Sequence, residues 1–264
     1  MYPTKYHKAA SIDDAVSALN SAEEGALLAG GQTLLATMKQ HLASPSDLVD
    51  IRGIEGMRGI SVDGDTLVIG AATTHAEVAG NADVQRLCPA LAGLAGGIGD
   101  PAVRHAGTIG GSIANNDPAA DYPAGLLAMG ATVKTNKREI SADDFFDGLF
   151  STALDEDEVI CSVSVSAPAR AAYVKFRQPA SLFALVGVCV AEGAQGTRVA
   201  VTGAGDDGVF RQSDLEAALA SDWSAASADG AIVGSEGLMS DIHGSADYRA
   251  NLIKVLAKRA VKAC

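Results

Sequence analysis

Thr108-Ile109-Gly110-Gly111-Ser112-Ile113-Ala114-Asn115-Asn116-Asp117-Pro118-Ala119-Ala120-Asp121 is the stretch on which the reading of this chain turns. A glycine pair sits among small residues with a Thr, a Ser and two Asn, and two acids follow. Adjacent glycines let backbone N–H groups approach a ligand with no Cβ in the way. Successive inward-turned N–H groups make an anion-binding nest. Thr108 and Ser112 add hydroxyl donors. Asp117-Pro118 has the pattern of a helix start, with Asp at the cap and Pro at the first helical position. A lone Gly-Gly pair is more often a tight loop between packed elements than a site. A second, similar stretch upstream changes that balance.

Ala26-Leu27-Leu28-Ala29 is a short apolar run consistent with a buried strand, and it ends in Gly30-Gly31-Gln32-Thr33. Leu34, Leu35, Met38 and Leu42 then recur as one face of a helix. Strand, Gly-Gly turn and helix together aim several free N–H groups at one point. Each charge-assisted bond from such a donor contributes roughly 1.5–3 kcal/mol, so two cradles can hold a diphosphate without Lys or Arg. Two in one chain point to a dinucleotide.

The whole chain narrows the class. Its 264 residues are enough for one large domain or two smaller ones with a real core, and 48% of them are apolar. The formal charge of −12 argues against a nucleic-acid partner and reads as a solvated acidic surface. Cys88, Cys161, Cys189 and Cys264 are scattered with no C-x-x-C, which fits a reducing cytoplasm and offers no zinc or iron–sulfur spacing. The five histidines form no ligand pattern either. Nothing near Met1 resembles a signal peptide, and no run of about 20 apolar residues is present to span a membrane.

Taken in order, Lys5 to Ala9 is expected as an edge strand, and Ser11-Ile12-Asp13-Asp14 opens a helix. Leu48-Val49-Asp50 is a strand, and 59–63 with 66–70 a hairpin. Thr74 caps a helix through Val78, and another covers Val84 to Leu94, kinked or started at Pro89. A helix should run from Asp117 to about Met129. A second hairpin follows around Asn136-Lys137, then a capping box at Ser141. Asp155 to Glu158 reads as a solvated acidic turn before a strand over 159–165. Beyond Pro168 strands are expected at 172–177, 184–192 and 197–203, with helices near 213–220 and 246–262. This is a second domain of antiparallel sheet and covering helices.

With these residues in hand, the chain resembles the medium, FAD-binding subunit of molybdenum hydroxylases, the relatives of carbon monoxide dehydrogenase and xanthine dehydrogenase. The resemblance covers nearly the whole chain. It is strongest at Ala29-Gly30-Gly31-Gln32-Thr33-Leu34-Leu35 and at Arg104-His105-Ala106-Gly107-Thr108-Ile109-Gly110-Gly111-Ser112, and it continues through Asp117-Pro118-Ala119-Ala120-Asp121-Tyr122-Pro123. It implies an α+β fold: a flavin domain of the PCMH type over 1–167, with subdomains of about 1–55 and 56–167, and a C-terminal α+β domain over 168–264. It implies non-covalent FAD between the subdomains. Ala29, Gly30, Gly31, Gln32, Thr33 and Leu34, with Thr108, Ile109, Gly110, Gly111 and Ser112, would touch the diphosphate and its neighbours. Asn115 and Asp117 lie on the same wall, and Asp121 matches an acid near the ribose or the adenosine half. Ile160 matches a residue beside the isoalloxazine, and Lys175 a lysine near the flavin. Leu182 and Leu185 depart from polar residues some relatives carry, so the electron acceptor stays open.

The same resemblance implies a small partner with two [2Fe–2S] clusters and a large partner with molybdopterin, assembled as a dimer of heterotrimers. The absence of cluster-type cysteine spacing in this chain fits that division. No side chain is expected to act as a catalyst, because the cofactor carries the reaction.

Three rival readings stand beside this one, the first a nicotinamide-binding site. Gly203-Ala204-Gly205-Asp206-Asp207-Gly208 satisfies G-x-G-x-x-G after a strand. However, Asp206 and Asp207 would face a diphosphate with like charge, and Val209-Phe210-Arg211 continues as a strand rather than a helix. A glycine-rich hairpin turn is the better account. The other rivals are a self-contained FAD oxidoreductase and a flavin-free scaffold, and a visible spectrum separates the scaffold from the flavoproteins.

Overall fold

The computed structural model describes Met1–Cys264. Its N-terminal part alternates strand and helix: β1 (Lys5–Lys8), α1 (Ile12–Ser21), β2 (Gly25–Leu28), α2 (Leu34–Lys39) and β3 (Asp47–Asp50). The strands pair in the order β1-β3-β2, both pairings parallel. The start of α1 is set locally, since the Ser11 hydroxyl accepts from the Asp14 N–H at 3.1 Å.

The next part begins with the hairpin β4 (Ile60–Asp63) and β5 (Thr66–Gly70), turned at Gly64 with φ +57°. Six short helices follow: α3 (His75–Gly80), α4 (Ala82–Leu87), α5 (Pro89–Gly96), α6 (Pro101–Ala106), α7 (Ile109–Asn115) and α8 (Asp121–Ala128). Then come β6 (Thr132–Thr135), β7 (Glu139–Ser141), α9 (Ala142–Phe145) and β8 (Ile160–Ser166). The five strands form an antiparallel sheet in the order β4-β5-β8-β6-β7. Thr74 and Glu77 cap α3 with a reciprocal capping box.

The C-terminal part is an antiparallel meander of β9 (Arg170–Arg177), β10 (Ala184–Gly193), β11 (Gly196–Gly205) and β12 (Gly208–Arg211), followed by α10 (Ser213–Ser221), α11 (Ala225–Gly230) and α12 (Ala246–Ala263). β10 and β11 are buried almost end to end because the sheet is covered on both faces. Strand alternation sorts the side chains. Val188, Val190, Val199 and Val201 meet Leu215 and Leu219 of α10 and Ile253 and Leu256 of α12. Cys189, Ala191 and Ala200 join the core that holds Leu91, Leu94 and Leu126 of α5 and α8. Small residues on that second face let the sheet lie close against α5 and α8. No helix is long and apolar enough to cross a membrane.

Several sequence expectations are revised. Asp117-Pro118 does not start a helix: α8 begins at Asp121, with Ala120 in the cap position, and Asp117 Oδ1 instead accepts the Ala119 N–H at 2.8 Å. A helix from Pro118 needs the Pro118 carbonyl for its own ladder, and that carbonyl accepts the Gly203 N–H at 2.7 Å instead. Over Val84 to Leu94 the expected start at Pro89 is what the structure has, with Pro89 at the first position of α5, while the residues before Cys88 belong to a separate helix, α4. Glu158 is not in a solvated turn. It is 4% exposed and accepts from Arg138, from Thr135 and from the Asp155 N–H. The Arg138 guanidinium holds its carboxyl down at about 2.

Candidate functional site

The two glycine stretches of the sequence come together. A Cβ placed on Gly30 would stand 2.6 Å from Gly107 Cα, and one on Gly111 would stand 3.7 Å from Ala29 Cβ. The segment 29–34 therefore lies directly against 106–111.

The two stretches differ in what they offer a ligand. In 29–34, Gly31 takes φ +67°, a conformation suited to glycine. None of the six N–H groups from Ala29 to Leu34 donates to a protein acceptor. The turn ends β2 before any ladder can use them, and α2 begins too late to recruit them. This is a cradle of unpaired donors, and Gln32 and Thr33 are exposed on it.

The stretch 108–112 is a correction to the expected anion nest. Gly110-Gly111 is not a loop but the first turn of α7, with Thr108 as its cap. Its N–H groups are already engaged: Ile109 with the Thr73 carbonyl, Gly110 with the Ala71 carbonyl, Gly111 with Thr108 Oγ1 and Ser112 with the Thr108 carbonyl. Gly110 is a glycine for packing, since a Cβ there would lie 2.6 Å from Ala71 Cβ. What this wall presents is side chains. The Ser112 hydroxyl and the Asn115 amide are half-buried and have no protein partner. Asp117 is also half-buried there.

Asp121, Ile160 and Lys175 sit deeper. Ile160, at the start of β8, is 5% exposed. Asp121 Oδ2 accepts from Lys175 Nζ at 2.8 Å, and both side chains are almost wholly buried. The Tyr173 hydroxyl donates to the other carboxylate oxygen. Burial pushes the Asp121 carboxyl up, and the Lys175 charge and the two hydrogen bonds pull it back. Asp121 and Lys175 are thus partners of each other across the junction between α8 and β9.

His75, absent from the sequence-based site, lies under the same wall. Its N–H donates to the Gly107 carbonyl at 3.0 Å, and a Cβ on Gly107 would stand 2.6 Å from its Nε2. Its Nδ1 and the hydroxyl of Tyr122, whose ring centroid is 5.4 Å away, are buried with no partner. Burial, with the Arg104 charge near it, holds His75 down at about 4. No local pattern marks it, because its only signal is contact with a glycine distant in sequence.

A run of unpaired N–H groups packed beside a helix that carries a free hydroxyl and a free amide is a donor set that suits the diphosphate of a dinucleotide. Comparison with known proteins agrees. Residues 2–168 match the family described as the FAD binding domain in molybdopterin dehydrogenase. The carbon monoxide dehydrogenase medium chain of Hydrogenophaga pseudoflava is 35% identical over 98% of this chain and 96% of its own. The nicotine 6-hydroxylase medium subunit of Paenarthrobacter nicotinovorans is 33% identical over 97% and 95%. A solved structure of the Hydrogenophaga carbon monoxide dehydrogenase, lacking the Mo-pyranopterin moiety of its cofactor, superimposes with a TM-score of 0.87. It covers 100% of this chain and 98% of that one, at 33% identity. With the match running through both glycine stretches and the fold shared from end to end, this chain belongs to the FAD-binding medium subunits of the molybdenum hydroxylases.

Proposed function

We propose that this chain binds FAD without a covalent link and serves as the electron-transfer subunit of a three-component molybdenum hydroxylase. The observation that carries the proposal is the row of six unpaired N–H groups from Ala29 to Leu34. These would hold the diphosphate, with Ser112 and Asn115 as donors on the neighbouring wall, Thr108 fixing that wall as the cap of α7, and Asp117 meeting a neutral hydroxyl of the cofactor rather than the phosphates. Ile109, Gly110 and Gly111 would shape that wall rather than donate to it. Asp121, Ile160 and Lys175 would line the deeper end. Residues 1–167 make up the flavin domain in this reading, in subdomains of about 1–55 and 56–167, and 168–264 the C-terminal domain.

Bound FAD supplies the redox chemistry between [2Fe–2S] clusters on a small partner and an external acceptor, with molybdopterin on a large partner. The protein's part is to bind the diphosphate, orient the cofactor and keep charge near it fixed. The names of the relatives support a medium subunit within such an assembly, and a dimer of heterotrimers is the proposed stoichiometry. Four unpaired thiols support a reducing, cytoplasmic setting.

The test has two stages. Flavin absorption should leave purified protein with the small-molecule fraction after acid precipitation. Colour retained in the pellet would mean a covalent link, and a colourless chain that rejects added FAD would favour the scaffold reading. The flavin of the isolated subunit should then stay oxidised with the complex's organic substrate under anaerobic conditions, and bleach once both partners are added. Bleaching by the isolated subunit would make it a self-contained flavoenzyme.

A further inference from the structure

The segment Asp117–Ala120 joins α7 to α8 without being helical. The Asp117 carbonyl accepts the Ala120 N–H at 2.9 Å, but no helix supplies partners for the Pro118 and Ala120 carbonyls. The C-terminal sheet supplies them. The Gly203 N–H donates to the Pro118 carbonyl at 2.7 Å. Thr202 Oγ1 lies 3.0 Å from the same oxygen and 2.7 Å from the Ala120 carbonyl. Thr202 is fully buried, so no water competes for its single proton.

The strand behind Thr202 is held in place. Gly203 takes φ +79°, and a Cβ there would stand 2.5 Å from the Ala184 carbonyl oxygen. Arg249 of α12, itself buried, donates from Nη1 to the carbonyls of Gly203 at 2.7 Å and Leu185 at 2.8 Å. Gly187 pairs with Thr202 on one side and Lys175 on the other. Its missing side chain leaves room for both Tyr173 and Thr202, whose nearest atoms would lie 2.3 and 2.9 Å from a Cβ there. Tyr173 and Lys175 then hold Asp121 from β9 while Thr202 holds the two carbonyls from β11.

We propose that Thr202, donating from the C-terminal sheet to the Pro118 and Ala120 carbonyls, is a positioning residue for the flavin-binding segment Asp117–Asp121. The inference rests on the FAD reading above. In that reading Asn115 and Asp117 would lie beside the ligand, and their segment would be set in place from a part of the chain that contributes no residue to the diphosphate cradle.

The experiment compares FAD binding by wild type, Thr202→Val and Thr202→Ser. Val keeps the volume and loses the donor, and Ser keeps the donor and loses a methyl group. Thr202→Val should weaken FAD binding by about tenfold or more and change the visible circular dichroism of the bound flavin. Thr202→Ser should restore both. Wild-type affinity and an unchanged visible spectrum in Thr202→Val would overturn the proposal. If Thr202→Val does not fold, Thr202→Cys against Thr202→Ser makes the same comparison, with the tenfold gap expected and equal affinities overturning it. Wild type that binds no FAD would instead sink the flavin reading, and this inference with it.

Discussion

Gly30 rests on Gly107: a Cβ on the first would lie 2.6 Å from the Cα of the second and 2.3 Å from the Ala106 carbonyl oxygen. Both contacts are to backbone, which has no side-chain rotamer to give way. Gly30→Ala should therefore push the 29–34 cradle away from the 108–112 wall. A loss of FAD affinity of about tenfold or more is expected, read by titrating apoprotein with FAD. Gly80→Ala is the control, since Gly80 is exposed, has nothing within 4 Å and lies outside the site. Equal affinity in the two variants would show that the loops need not touch.

The Asp121–Lys175 pair bridges α8 and β9 inside the protein. Removing one partner leaves the other charge buried without its counterion, a loss on the order of 3–5 kcal/mol. Lys175→Met should lower the urea midpoint sharply, and Asp121→Asn with Lys175→Met should recover much of it. A double variant no more stable than Lys175→Met alone would mean that the ion pair is not the source of the loss.

His75 gives a dependence on pH with a definite sign. Its pKa falls from 6.5 to about 4 on folding, and it is 4% exposed. Above pH 6.5 it is neutral in both states and contributes no pH dependence. Below that the unfolded chain takes up a proton that the folded chain refuses, so stability declines as pH falls from 6.5 to about 4. The shift corresponds to a decline of about 3 kcal/mol. Unfolding curves across that window should fall less steeply for His75→Gln than for wild type. Parallel curves would place the titration elsewhere.

Gly93 lies within α5, exposed, with nothing within 4 Å of a Cβ built on it. Gly93→Ala should stabilise the protein by about 0.5–1 kcal/mol through the lower entropy of the unfolded chain. A raised urea midpoint with unchanged FAD affinity is the expected result, and a lowered midpoint would mean the site is tighter than it looks.

Elements whose partners lie a few residues away are legible in the sequence alone. Ser11 with Asp14, Thr74 with Glu77 and Ser141 with Asp144 are caps written in adjacent sequence. The strand, Gly-Gly turn and helix over 25–39 follow from one apolar run, one glycine pair and one helical face. The turn between β11 and β12 was legible because Asp206-Asp207 and the strand after it contradict a nucleotide loop.

Which groups are left free for a ligand depended on the assembled fold. Ala29-Gly30-Gly31 and Ile109-Gly110-Gly111 look alike as sequence. Only the first keeps its N–H groups, because Thr73 and Ala71 lie beside the second and accept from Ile109 and Gly110, while Thr108 accepts from Gly111. Asp117-Pro118 carries a helix start in its residue types, yet Gly203 and Thr202 occupy the carbonyl that the helix would need. Sequence names every donor and acceptor, but a hydrogen bond goes to the partner that packing brings within reach, and packing is a property of the whole chain.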